Sequence, residues 1–229
     1  MKVLSLLLAT VVFGSIAVAQ ERSIDKAAFE SMVEAGNASV KWSGQKYRMT
    51  VNTRSKIDGR PQTDWSSNMI IEYGPKGEVK SVSNSSFGGT TRPTTRSLRL
   101  GDTVYTRTGD QAWMRTEKQV NTPREPNEST TRETTESDIK YRYLGPAVYR
   151  NNTSQTYAKT SHRSSVDQTS GAKTESDITT TYWVDANGII LKTEFRAEGQ
   201  GTNSTHHTMI VTEWELDPSI EFTPPEIGT

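Results

Sequence analysis

Residues 178–195 read ITTTYWVDANGIILKTEF, in which two β-branched and aromatic runs flank a turn. Residues 185–188 are Asp-Ala-Asn-Gly, and Asn-Gly supplies the positive φ angles that a type I′ hairpin turn requires. The stretch therefore predicts an antiparallel hairpin with strands over residues 178–184 and 189–195. It is the clearest hairpin signal in the chain, and the segments on both sides of it repeat the same alternating pattern.

Alternation of apolar and polar residues is typical of half-buried strands, and it recurs before and after this hairpin. Met49 and Val51 share one face of an upstream strand, and Ile210 and Trp214 share one face of a long strand over residues 206–216. Short turns rich in Gly, Asp and Pro join these runs. We predict eight to eleven strands in a mainly β fold, built as a single large curved antiparallel sheet or an incomplete β-barrel.

One short helix is predicted close to the N-terminus. Phe29, Met32 and Val33 fall on one helical face, and Ser23 or Asp25 can cap the first turn. Gly36 follows the last apolar residue of this pattern and is expected to end the helix.

The first 19 residues are predicted to be a cleavable secretory signal peptide. Lys2 supplies the basic start, residues 3–13 form the apolar run, and residues 17–19 are Ala-Val-Ala, the small-x-small pattern of a cleavage site. An uncleaved membrane anchor is the alternative, although residues 3–19 are shorter than the roughly 20 apolar residues of a spanning helix. We therefore expect a periplasmic or secreted bacterial protein with no membrane span after cleavage.

The composition of residues 20–229 narrows the function classes. The chain has no cysteine, so it has neither disulfides nor a lipid-modified cysteine. Without Lys2, 26 basic residues face 27 acidic ones, a balance that offers no footprint for nucleic acid. We predict one strand-rich domain over residues 20–229. A loop is expected over residues 85–96, and a polar, mobile segment over residues 117–139, with a lid over a ligand site as the alternative for that segment.

No catalytic motif stands out, so we predict a protein that is not an enzyme, with no catalytic residues, no metal ligands and no cofactor. His206 and His207 are neighbours on a predicted strand, so their side chains project to opposite faces and cannot share one metal ion. His162 is expected on the surface or along a strand. There is no Gly-x-Ser-x-Gly elbow, phosphate-binding loop or dinucleotide fingerprint.

The aromatic residues carry the functional hypothesis. Four of the five tryptophans lie in or beside predicted strands, where they either form the core of an aliphatic-poor sheet or line an apolar surface for a hydrophobic ligand. The candidate ligand-binding residues are Met49, Ile71, Tyr105, Trp113, Ile190 and Trp214.

Four features of the chain resemble the periplasmic lipoprotein-carrier superfamily typified by LolA and the mycobacterial LppX/LprG lipid carriers. They occur in the order of that family. They are the signal followed by a short helix, the strand pair over residues 104–105 and 111–115, the hairpin over residues 182–192, and the closing segment 214–220 with Pro224-Pro225.

This resemblance implies an unclosed antiparallel barrel that holds acyl chains and carries no catalytic activity. The predicted function is therefore an exported carrier of lipid or lipoprotein acyl chains, with an envelope protein as a further potential partner. Two alternatives stay open: a structural or interaction module of the cell envelope that binds protein or glycan through its sheet face, and a hydrolase with an unrecognised site.

Overall fold

The computed structural model describes residues 21–33, 42, 44–117, 132–201 and 204–227. These ranges contain one α-helix, α1 (Lys26–Val33), a single 3₁₀ turn at Pro61–Thr63, and thirteen strands. The strands are β1 (Arg22–Ile24), β2 (Tyr47–Ile57), β3 (Trp65–Tyr73), β4 (Val79–Phe87), β5 (Thr90–Thr91), β6 (Thr95–Leu100), β7 (Thr103–Thr108), β8 (Met114–Glu117), β9 (Arg132–Tyr149), β10 (Asn152–Asp167), β11 (Lys173–Val184), β12 (Ile190–Gly201) and β13 (Ser204–Leu216). The predicted signal peptide lies outside the described residues.

All thirteen strands belong to one antiparallel sheet, in the order β1-β9-β10-β11-β12-β13-β2-β3-β4-β6-β7-β8, with β5 paired to β4. Two meanders of consecutive strands make up this order, β2 to β8 and β9 to β13. Pairing of β13 with β2 joins the meanders, with Trp214 opposite Met49. The sheet does not close into a barrel. The predicted fold class, mainly β with one large open sheet and one short N-terminal helix, is confirmed.

The central hairpin forms as predicted, between β11 and β12, but the predicted type I′ turn is wrong. Within residues 185–188 only Gly188 has a positive φ, 72°. The Asp185 carboxylate accepts hydrogen bonds from the backbone N–H groups of Asn187 (2.9 Å) and Ile189 (2.7 Å). These bonds stabilise a longer loop with one left-handed residue. The two consecutive positive φ angles of a type I′ turn occur instead at Arg150 and Asn151, between β9 and β10.

Two segments contain more strand than the sequence suggests. Residues 132–139 belong to β9 and pair with β10 over most of their length, so about a third of the polar stretch predicted over residues 117–139 lies in this strand. Residues 118–131 lie outside the described residues. The predicted loop over residues 85–96 contains the end of β4, the short strand β5 and the start of β6. Cross-strand hydrogen bonding orders both stretches despite their polar composition.

Helix α1 packs on one side of the sheet and forms the main core with it. Asp25 caps the helix, because its carboxylate accepts a hydrogen bond of 2.7 Å from the backbone N–H of Ala28. Phe29 lies 4.8 Å from Tyr141 and 5.6 Å from Tyr182, measured between ring centroids. The buried cluster consists of Phe29, Val33, Tyr157, Val184 and Ile190, with Ile24, Tyr141, Tyr143, Tyr182 and Trp214 packed against it.

A bulge in β9 bends the end of the β9–β10 hairpin toward a distant strand. Leu144 is the extra residue, and Gly145 beside it has a φ of 106°. Although β10, β11 and β12 lie between β9 and β13, the Tyr149 hydroxyl donates a hydrogen bond to Glu213. Arg150 pairs with Glu215 at 2.8 Å.

Tyr149→Phe is expected to make the protein less sensitive to alkali. Burial and the hydrogen bond to Glu213 raise the pKa of Tyr149 above its ordinary value of 10.0, so the phenol stays protonated in the folded state while it ionises in the unfolded chain. Its contribution to stability is therefore complete below about pH 10 and is lost as the pH rises further. Denaturant unfolding between about pH 9 and pH 11 measures the effect, and equal slopes for variant and wild type would contradict it.

Candidate functional site

The register of the sheet assigns every strand residue to one of two faces, because directly opposed residues project to the same side. We call the side that carries α1 the helix face, and it includes Tyr141 and Tyr182. The opposite side is the tail face, because residues 221–225 run over it beside Val82 and Leu98.

Three of the six predicted ligand residues form one row on the helix face. Trp214 on β13 lies opposite Met49 on β2, and Met49 lies opposite Ile71 on β3. Trp214 also packs against the buried cluster under α1, which contains Ile190. Four of the six predicted residues therefore lie on the helix face. Ile190 is 7% exposed and contributes to the core.

The other two predicted residues lie on the tail face, so the six do not form one site. Tyr105 on β7 is opposite Leu98 on β6 and is 9% exposed. Trp113 lies just before β8 and has the guanidinium of Arg107 over its ring, 5.2 Å from the centroid. All six candidates are apolar or aromatic residues in or beside predicted strands. They lie on two different faces because the face of each residue depends on the register of its strand.

The row on the helix face belongs to a larger apolar patch, which we call the apolar stripe. Its members come from β12, β13, β2 and β3, and each is partly buried. Phe195 is opposite Ile210, and Val51 is opposite Met69. The candidates chosen from the sequence did not include these four residues, although continuing the two-residue period from Met49, Ile71 and Trp214 gives three of them. The stripe consists of Met49, Val51, Met69, Ile71, Phe195, Ile210 and Trp214.

Charge divides the two faces sharply. The helix-face residues of β12, β13, β2, β3 and β4, strands that the structure describes from end to end, include no Lys, Arg, Asp or Glu. Every charged residue of these five strands lies on the tail face. Three of them are joined there, since Glu72 pairs with Arg48 at 2.8 Å and with Lys80 at 3.0 Å. The hydrogen bond to Glu72 raises the pKa of the Arg48 guanidinium.

Aromatic and hydroxyl groups border the apolar stripe along the strand direction. At one end Tyr47 stacks on Tyr73 with 4.6 Å between ring centroids, and burial raises the pKa of both phenols. At the other end Ser55 lies 3.3 Å from Thr208, oxygen to oxygen, beside the buried Thr53. The stripe is therefore a limited apolar area, with groups at both ends that can hydrogen-bond to a polar head group or to water.

A second feature lies between the tail face and the C-terminal segment. This cavity, which we call the tail pocket, has a volume of about 380 Å³. Leu98 at its floor is 4% exposed. Its lining combines apolar, hydroxyl and basic side chains with one carboxylate: Lys80, Ser81, Val82, Arg96, Ser97, Leu98, Trp113, Glu221, Thr223 and Pro225. The volume falls in the range of small-molecule sites.

The three histidines lie apart from both features. His162 Nδ1 is 2.9 Å from the Asp177 carboxylate, and this hydrogen bond raises the pKa of the imidazole. His206 is opposite Ile57 on the helix face, and His207 is opposite Lys56 on the tail face. The predicted division of the adjacent pair between two faces is therefore confirmed. Within the described ranges, no cluster of three or more His, Cys, Asp or Glu residues could hold a metal ion.

Helix α1 has eight residues, far fewer than a membrane-spanning helix needs. No helix in the described ranges is long and apolar enough to cross a membrane.

Comparison with known proteins finds little similarity in sequence. No protein-family model matches the chain, and no curated protein matches it. Among solved structures, the crystal structure of LprF from Mycobacterium bovis is similar to this chain with a TM-score of 0.44 and 10% sequence identity. The match covers 90% of this chain and 100% of that one. It is a loose resemblance in overall fold.

Proposed function

We propose that this protein is an exported, non-catalytic binding protein that holds an acyl chain of a lipid or lipoprotein on the apolar stripe. The observation that carries the proposal is the absence of charge from the helix face of β12, β13, β2, β3 and β4, where seven apolar side chains stay partly exposed. An apolar patch on one side of a sheet, with all the charges on the other side, favours a hydrophobic ligand over water.

The shape of the stripe favours a chain-like ligand. Four neighbouring strands spaced about 4.8 Å apart give a length of about 15 Å across the sheet. The stripe is one or two residues wide on each strand. A protein partner typically covers about 20–30 residues on each side of an interface, which is far more than seven side chains. A narrow apolar strip therefore suits an extended acyl chain better than a protein surface.

Two side-chain properties of the stripe support exchange of such a ligand. Met49 and Met69 carry flexible, polarizable thioethers that adapt to different apolar shapes. Trp214 on β13 connects the stripe to the buried cluster beneath α1, so this part of the ligand site rests on a rigid core. The stripe thus combines a fixed part on β13 with an adaptable part on β2 and β3.

Met69→Gln is expected to weaken binding of Nile red, a neutral apolar probe, by about tenfold. The substitution keeps the length of the side chain but places an amide at the β3 end of the stripe, which removes roughly the transfer free energy of one buried apolar side chain. Fluorescence titration of the purified protein measures the dissociation constant. Native mass spectrometry of the same preparation checks for bound lipid.

Met114→Gln is the matched control. Met114 lies on the edge strand β8 and is 59% exposed, so its replacement should leave the dissociation constant unchanged. Equal effects of the two substitutions, or no saturable Nile red binding and no lipid in the wild type, would remove the basis for an acyl-chain site on the helix face. Capture of an envelope protein by a lipid-free protein would support the interaction-module alternative instead.

A further inference from the structure

Two arginines lie side by side on the tail face without a carboxylate partner in the described part of the chain. Arg96 on β6 is directly opposite Arg107 on β7. Like charges in directly opposed positions of a sheet destabilise the pairing. The Nε of Arg107 is buried and has no hydrogen-bond acceptor among the described residues. Such an arrangement is costly unless an anion binds between the two guanidinium groups.

The pair stands at the edge of the tail pocket. Arg96 lines the pocket together with Trp113, and the guanidinium of Arg107 lies over the same indole ring, 5.2 Å from its centroid. The third basic group there, Lys80, is already paired with Glu72 at 3.0 Å. The lining also contains one carboxylate, Glu221, so the two arginines and Lys80 outnumber the acidic groups at the pocket.

The apolar part of the pocket is deep enough to take more than an ion. Leu98 is 4% exposed at the floor, Val82 lies beside it on the neighbouring strand, and Pro225 covers them from the C-terminal segment. Trp113 also lines the pocket, and the guanidinium of Arg107 lies over its ring, 5.2 Å from the centroid. A ligand that fills the cavity would therefore meet Leu98, Trp113 and Arg96, and Arg107 lies directly opposite Arg96 on the neighbouring strand.

We propose that the tail pocket binds an anionic amphiphile, with its carboxylate or phosphate head on Arg96 and Arg107 and its apolar part against Leu98 and Trp113. Guanidinium groups match both head groups, because each can donate two parallel hydrogen bonds to a pair of oxygen atoms. This site is separate from the apolar stripe, which lies on the other face of the sheet, and does not depend on it.

The test uses dansylundecanoic acid and its neutral methyl ester as probes for the full-length protein. The wild type should bind the acid more tightly than the ester. Arg96→Gln and Arg107→Gln should each weaken binding of the acid by about tenfold, as expected for loss of a hydrogen bond between charged groups, and leave the ester unchanged. Arg99→Gln is the matched control, because Arg99 is an exposed residue of the same strand that projects to the helix face.

Each of the following binding results would overturn the proposal: equal affinity for acid and ester, no effect of Arg96→Gln and Arg107→Gln, an equal effect of Arg99→Gln, or displacement of the acid by inorganic phosphate alone. Oleate and lysophosphatidic acid, used as competitors, identify the preferred head group, and the proposal requires at least one of them to displace the probe.

Thermal unfolding distinguishes a loss of binding from a defect in folding. Without ligand, Arg96→Gln should melt at the same temperature as the wild type or higher, because it relieves the repulsion with Arg107. A lower melting temperature would mean that Arg96 has a structural role, and would count against the proposal.

Discussion

Phe29→Ala is expected to lower the free energy of unfolding by about 3–5 kcal/mol, the usual cost of removing a buried aromatic ring. Phe29 is 4% exposed and contacts the rings of Tyr141 and Tyr182. Because α1 is only eight residues long, its stability depends on packing against the sheet and not on its own hydrogen bonds. Loss of this ring should therefore release the helix from the sheet as well as leave a cavity.

Denaturant unfolding followed by circular dichroism measures this loss, and Met32→Ala provides the control. Met32 lies on the same helix but is 50% exposed, so its replacement should change stability by less than about 0.5 kcal/mol. If Phe29→Ala cost less than about 1 kcal/mol, the packing of α1 on β9 and β11 would not be the main core of the domain.

Glu72→Gln should cost about 2 kcal/mol, the range measured for hydrogen bonds between charged groups. The side chain of Glu72 is 12% exposed and pairs with both Arg48 and Lys80. Neutralising this carboxylate leaves two cations near each other on the tail face. Arg48 keeps its second partner, Asp217 at 2.9 Å, so the loss should stay below that of a fully buried pair.

The matched control is Glu117→Gln, which removes the carboxylate of an exposed pair. Arg115 and Glu117 have side chains 54% and 64% exposed, and such pairs contribute about 0–1 kcal/mol that salt screens further. Urea unfolding of both variants at low and high salt compares the two sites. A loss for Glu72→Gln no greater than that for Glu117→Gln would show that the tail-face ion pairs stabilise the sheet no more than surface charges do.

Features that depend on near neighbours in the chain could be predicted well. The start of α1 follows from the short-range bond between Asp25 and the backbone of Ala28. The hairpin between β11 and β12 follows from its alternation and its turn residues. The predicted turn type was wrong for a local reason as well. The Asp185 carboxylate accepts hydrogen bonds from the backbone N–H groups of Asn187 and Ile189, and the Asn-Gly rule does not take such bonds into account.

Features that depend on pairing between distant segments were predicted less well. The polar residues 132–139 contain little that favours a strand, and they become one because β10 supplies hydrogen-bond partners along their length. The candidate ligand residues divide between two faces for a similar reason. In the sequence, Met49 and Tyr105 each alternate with polar neighbours, and nothing there distinguishes their faces. The registers across β3, β4 and β6 show that Met49 lies on the helix face and Tyr105 on the tail face.

By itself, the sequence determined the strand period, the single capped helix and the mainly β fold class, because these depend on side-chain alternation and hydrogen bonds within a few residues. Only the tertiary structure decided that Trp214, Met49 and Ile71 form one row and that Arg96 lies opposite Arg107. The physical reason is that a sheet places residues side by side according to strand order and register. A change of one residue in register moves a side chain to the other face.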